Sequence, residues 1–325
     1  MNYIASENVT NKFENDLRQI IYTDLALSKK EKDDFDKFDF LRVLSIHREL
    51  KSRLIPQQKY TVHISKELEQ KINLNNFNNK DIKGINLIIE KLENSQDVTP
   101  HLSCTVKNKF YNDALYNEWK IYHLHLGTTI KKSGFGKRTK NVLFAFRDNN
   151  NNIYLIDVLP HGKGNIPWAN EELLKIIDNN WSFLLDPYDI SDSVIKTSIN
   201  FNEQEHYKLR NNHINVIKNI NNKILIPINM GQTCAGTSFL SFFMSISLNN
   251  YLCFIHNFIV NQYEQISDFL GIKNSVLRIA DYDINFNVKF YIENSSVKIL
   301  LDINKNICTK ITFIREDIQK MLIFE

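Results

Sequence analysis

The sequence predicts an α+β protein with a helical N-terminal region, a central antiparallel sheet and a mixed α/β C-terminal region. Three observations lead there. Near the N-terminus apolar residues recur at helical spacing, as at Leu17, Ile20, Ile21 and Leu25. Between Trp119 and Leu159 three apolar or alternating stretches of strand length are separated by polar segments. A hydrophobic content of 43% with 24% charged residues over 325 positions supports a packed core and excludes a mainly disordered chain.

The elements follow in order. Residues 7–53 read as two helices on either side of a charge-dense stretch, Lys29 to Lys37. The second carries Phe40, Leu41, Val43, Leu44 and Leu50 and ends before Pro56. Tyr60 to Ile64 alternates as a short strand, and Ser65 is placed to N-cap a helix through Lys71. Asp81 to Glu93 is a helix with Ile85, Ile88, Ile89 and Leu92 on one face, and Asn112 to Glu118 is a shorter one. Trp119 to Leu126 is then a strand, followed by a basic, glycine-containing loop, Gly127 to Lys140. The strand Asn141 to Arg147, the polar turn Asp148 to Asn152 and the strand Ile153 to Leu159 complete a meander that stops at Pro160-His161-Gly162. Glu171 to Asn180 returns to helical spacing.

Further on, Glu203 to Asn219 reads as helix, Lys223 to Ile228 as strand and Thr237 to about Leu270 as apolar helix. Val288 to Ile292, Val297 to Ile303 and Cys308 to Ile314 read as a second meander. Polar residues and Pro187 collect between 186 and 200, which divides the chain into regions 1–58, 59–186 and 200–325.

A net charge of +3 excludes a protein that is polybasic as a whole and leaves room for a local basic patch. The four cysteines form no C-x-x-C pair, and the polar start lacks an apolar signal region, which together fit a reducing cytoplasm. Phe239 to Val260 is apolar but contains Asn249, Asn250, His256 and Asn257. A buried helix pair is expected there in preference to a membrane span.

The residues that invite chemistry are His123, His125 and His161. Side chains two apart on a strand share a face, so His123 and His125 point the same way, ~7 Å apart along it. Tyr122, Leu124 and Leu126 form the opposite, core-facing set. His161 ends a neighbouring strand. Imidazoles with pKa values near neutrality suit the base that deprotonates a ribose 2′-hydroxyl and the acid that protonates the leaving 5′-oxygen. Arg138, Arg147, Lys137 and Lys140 could neutralise the phosphate, and with Lys131 and Lys132 the loop is the densest basic cluster in the chain. Two other readings stay open. The histidines could lie on a solvated sheet face, or His123, His125, His161 and Asp157 could ligate a transition metal. Strand parity places Asp157 among apolar neighbours, which argues against the second.

In the second half, Gly231 to Ser238 has the glycine spacing of a phosphate loop, but Thr237 stands where lysine is required. Cys234 before an apolar helix, with His213 or His256 as base, is a thiol-nucleophile alternative. A tight turn capped by Thr237 or Ser238 is the expected structure.

The order of elements from Gly127 through the basic cluster, Val142–Arg147, Tyr154–Leu159 and His161-Gly162 resembles RelE/HigB-like messenger-RNA interferase toxins, of the barnase/EndoU/colicin/RelE ribonuclease group. The similarity covers residues 60–181. Arg138 and His161 match that family's arginine before the second strand and its turn after the third, with the glycine and histidine in reversed order. The resemblance implies a RelE-like sheet and a metal-independent endoribonuclease with a growth-arrest or phage-defence role. No cofactor is then expected, RNA is the substrate, and an antitoxin or phage protein and a second copy of the chain are candidate partners. The alternative from another class is a non-enzymatic module binding nucleic acid or a phage component.

Overall fold

The computed structural model describes residues 8–161, 171–192, 201–261, 268, 277–282, 288–292, 298–302, 310–315 and 318–323. Gly162, Val297, Ile303, Cys308 and the region around Leu270 lie outside them. The fold is α+β, as the sequence predicts. The chain forms two compact units, residues 49–241 and residues 1–48 with 242–325.

Unit 49–241 is built on a four-stranded sheet ordered β1-β4-β3-β2, made of β1 (Thr61–Ile64), β2 (Ile121–His125), β3 (Asn141–Arg147) and β4 (Asn152–Pro160). The expected antiparallel meander is β2-β3-β4, and β1 joins β4 in parallel. A bulge between Phe144 and Ala145 shifts the β3–β4 register, and Asp157 opposite Phe144 is buried against the Lys71 ammonium at 2.6 Å. Ser65 caps α4 (Lys66–Asn73), accepting from the Leu68 N–H and donating to the Ile156 carbonyl. Asn78 caps α5 (Asn79–Glu93). Leu68, Ile85, Ile88 and Leu92 of these helices pack on Tyr122, Leu124, Leu143, Ile153 and Leu155, one face of the sheet. The other face, with Ile121, Val142, Phe144, Tyr154 and Ile156, packs on Leu173, Leu174, Ile176 and Ile177 of α7 (Glu172–Trp181).

Residues beyond the polar stretch at 186–200 pack into this same unit. Ile220, Leu225 and Ile228 join the α7 side of the core. Glu118, at the end of α6 (Ala114–Trp119), is fully buried and accepts from His206 and Arg210 of α8 (Glu203–Asn211) at 3.0 and 2.6 Å. The helix expected over 203–219 stops at Asn211, because Lys218–Ile220 pairs with Lys223–Leu225 as a hairpin, β5 and β6, turning through Asn221 at positive φ. Trp119, read as strand, closes α6 instead. Lys120, in the left-handed region (φ 56), ends that helix and launches β2.

In the other unit, the stretch Lys29–Phe35, read only as charge-dense, is a helix. Ser28 and Glu31 form a reciprocal capping box at its start. It lies between the two expected helices, Asn8–Asp24 and Phe40–Ser52. Arg278 makes a paired contact with the buried Asp16, whose carboxylate also accepts from the Ile279 N–H at 3.0 Å. The C-terminal meander has five antiparallel strands, Leu277–Tyr282 and Ile318–Ile323 flanking the three expected ones. The apolar stretch from Phe239 is one helix, Phe239–Asn261, and not a buried pair. Its Phe239–Asn257 portion is long and apolar enough to cross a membrane, and only 28% of that window is buried.

Candidate functional site

β2 is an edge strand, and the alternation of its residues sends His123 and His125 to one face, as expected. That face is not solvated. His123 is 8% exposed and His125 2% exposed. The solvated-face reading fails because the face the two histidines share with Val142 and Phe144 is packed into the core. His125 pairs with Val142, Val142 with Leu159, and Asn141 with Pro160, so the end of β4 delivers His161 to the same corner of the sheet. The His161 N–H is held by the Lys140 carbonyl at 2.6 Å. The three rings converge: centroids are 6.5 Å apart for His123–His125, 6.5 Å for His123–His161 and 5.7 Å for His125–His161.

The basic loop is hydrogen-bonded into place. Ile130 bridges Gly136, the Lys131 N–H meets the Phe135 carbonyl, and Gly134 turns with φ 82. Gly127 carries its base: a Cβ there would lie 2.0 Å from the Lys137 carbonyl oxygen, an approach only glycine allows. Lys137, Arg138 and Lys140 are exposed. Arg138 lies close enough to all three imidazoles to disfavour their charged forms. Arg147 is not part of this cluster. It sits at the other end of β3, opposite Ile153, beside Tyr122 and Tyr60.

Burial dominates the electrostatics. Desolvation pushes the His123 imidazole below its ordinary value; Asp113 opposes the shift and Arg138 adds to it. Burial, followed by His123, His161 and Arg138, pushes His125 down to about 4. His161 is lowered by burial, His123 and Arg138. All three are therefore neutral near pH 7. Both ring nitrogens of His125 are buried without a hydrogen-bond partner, an arrangement that costs about 1–3 kcal/mol per group.

Three further residues take part whose role the sequence scarcely signals. Asp113 caps α6 by accepting from the Tyr116 N–H, and its Oδ2 lies 3.8 Å from His123 Nδ1. The buried His101 donates from Nδ1 to the His125 carbonyl at 2.9 Å, which pins the strand. Arg53, just beyond helix Phe40–Ser52, lines a small cleft together with His123, Asp113 and Tyr111. Only the helix cap at Asp113, a Ser/Thr/Asn/Asp before an apolar run, leaves a local signal.

Asp157 is held by Lys71 and stands apart from the imidazoles. Among the described residues no three His, Cys, Asp or Glu side chains are grouped to hold a metal ion. At the Gly231 turn, Gln232 bridges Ser238, and Gly236 turns with φ 75 against the His213 ring, giving the expected tight turn. Cys104, Cys234 and Cys253 are free thiols. No protein-family model, curated protein or solved structure matches this chain.

Proposed function

We propose that the protein is a metal-independent endoribonuclease that cleaves RNA by attack of the ribose 2′-hydroxyl on the adjacent phosphodiester. The observation that carries the reading is the convergence of three imidazoles on one corner of the sheet, with both ring nitrogens of the buried His125 unpartnered.

His125 accepts the 2′-hydroxyl proton as the oxygen bonds to phosphorus. His123, beside the Asp113 carboxylate, is the imidazole best placed to carry positive charge and protonates the departing 5′-oxygen. The products are a 2′,3′-cyclic phosphate and a 5′-hydroxyl. Arg138 and Lys137 bind the phosphate, and His161 orients it. A phosphodiester entering beside Arg138 brings negative charge that raises the imidazole pKa values toward neutrality, where acid–base transfer is most effective. The expected setting is cytoplasmic, as a toxin or phage-defence effector restrained by an antitoxin or triggered by a phage component.

The test is end-labelled RNA incubated with the full chain in excess EDTA, beside His123→Ala/His125→Ala. Cleavage with cyclic-phosphate ends by the wild type alone supports the reading, and equal cleavage by the double variant ends it. The exposed lysines and Arg138 of the loop favour one other reading, a non-enzymatic RNA-binding module. It would show binding that falls steeply with salt and no products.

A further inference from the structure

Phe110 has no part in the mechanism above, yet it stands 59% exposed on the segment that leads to the histidine corner. A single exposed apolar side chain is ordinary, so only its setting can give it meaning. The turn that carries the ring is fixed. The Asn108 N–H meets the Thr105 carbonyl at 2.9 Å, the Asn108 side chain accepts from the Phe110 N–H at 3.0 Å, and the Asn108 carbonyl accepts from the Tyr111 N–H at 3.1 Å. The same segment is joined to the basic loop. Lys107 Nζ lies 4.9 Å from the centroid of the Phe135 ring, and the Gly136 N–H meets the Pro100 carbonyl at 2.7 Å. Burial and Asp113 raise the Tyr111 phenol, while Arg138 is near enough to oppose them. Phe110 therefore sits between the loop contact at Lys107 and the neighbourhood of Arg138, the group assigned to the phosphate.

Charge and shape decide what fits. Lys107 is exposed and Lys109 half-buried, and they extend the exposed cations Lys131, Lys132, Lys137 and Arg138. No aspartate or glutamate occurs over 98–112 or 119–147, so nothing within either segment offsets this charge. Asp113, just outside them, is turned to His123. An acidic peptide would satisfy the lysines and leave the phenyl ring in water. A duplex hides its base faces in its own stack, whereas an unpaired strand presents phosphates and flat base faces together. We propose that Phe110 is a stacking platform for one base of single-stranded RNA, with Lys107 and Lys109 on the flanking phosphates. Stacking uses the π-face that every base has, so the platform selects unpaired over paired RNA with little preference among bases. The place of the stacked nucleotide next to the scissile phosphate rests on the ribonuclease reading.

The probe is a fluorescein-labelled single-stranded RNA, 2′-O-methylated throughout so that no 2′-hydroxyl can attack, bound to the full chain and followed by anisotropy. Beside it run the same strand annealed to its complement and an abasic strand of equal length. Phe110→Ala is expected to weaken the base-bearing single strand roughly tenfold and to leave the duplex and the abasic strand unchanged. Phe110→Trp should keep or improve the single-strand affinity. The wild type should prefer the base-bearing strand to the abasic one, a comparison that needs no variant. No binding, equal affinity for those two strands, an unchanged affinity in Phe110→Ala, or an equal loss on all three probes would overturn the proposal. The methylated strand resists cleavage by this route, so the outcome is separable from catalysis. Cleavage of ordinary RNA by a chain whose Phe110→Ala variant binds normally refutes only the platform. Ring-dependent binding without cleavage of ordinary RNA refutes only the ribonuclease reading.

Discussion

Asp113 Oδ2 lies 3.8 Å from His123 Nδ1, the carboxylate starting α6 and the imidazole lying on the strand that follows it. Asp113 favours the charged form of His123; burial and Arg138 oppose it. Asp113→Asn keeps a helix-capping side chain and removes the charge. His123 should then lose its proton at lower pH. The alkaline limb of kcat/KM against pH is expected to move to lower pH, with the acidic limb in place. An unmoved alkaline limb would assign the acid role elsewhere.

Stability should respond to the same histidines. Folded His125 titrates near 4 against an ordinary 6.5, so between those values the unfolded chain binds the proton more readily. The stabilisation is complete above pH 6.5 and is lost as pH falls toward 4, on the order of 3 kcal/mol from His125 at about 1.4 kcal/mol per pH unit. His101, His123, His161 and His206 are lowered too and add to the slope. Urea midpoints measured from pH 7.5 to 4 should fall steeply for the wild type and less steeply for His125→Leu.

The two arginines flanking β3 should behave differently. Arg138 faces the imidazoles, and Arg147 sits at the far end beside Tyr122 and Tyr60. Arg138→Gln should lower cleavage on the order of 10²-fold, as for loss of one donor to a developing charge. Arg147→Gln should leave the rate nearly unchanged and show its effect in thermal stability. Equal rate losses would mean that the substrate runs the length of the strand.

The Glu118–His206–Arg210 cluster predicts a purely structural defect. Arg210→Met would leave the fully buried Glu118 carboxylate with one partner fewer, and removing one member of such a pair costs about 3–5 kcal/mol. The denaturant midpoint should drop accordingly. Below the new midpoint, cleavage per folded molecule should stay within about twofold, because none of the three side chains lines the His123 cleft.

Local pattern carried the meander and the shared face of the histidine pair, because a two-residue period is written directly in residues 121–126. It also carried the caps at Ser65 and the turn at Gly231–Ser238. It failed where pairing is long-range. Arg53 reaches His123 across seventy residues of sequence and Glu118 finds His206 and Arg210 only after folding, so neither leaves a nearby trace. The helix Lys29–Phe35 was hidden because its dense charge masks apolar periodicity; its signal was the Ser28/Glu31 box. Burial of the histidine face was missed for a related reason. Alternation reports which residues share a side, and what covers that side is decided by segments elsewhere in the chain.

Lys120 ends α6 in a left-handed conformation and begins β2 at once, so no slack separates the capping carboxylate from the histidine strand. The nine residues between Asp113 and His123 therefore act as a ruler. One residue more or fewer in that helix would swing Asp113 about 100° around its axis and away from the imidazole. Any chain that uses this corner in the same way has to preserve the interval, an aspartate, nine residues, then His-x-His. That spacing is a more selective search key than the histidines alone.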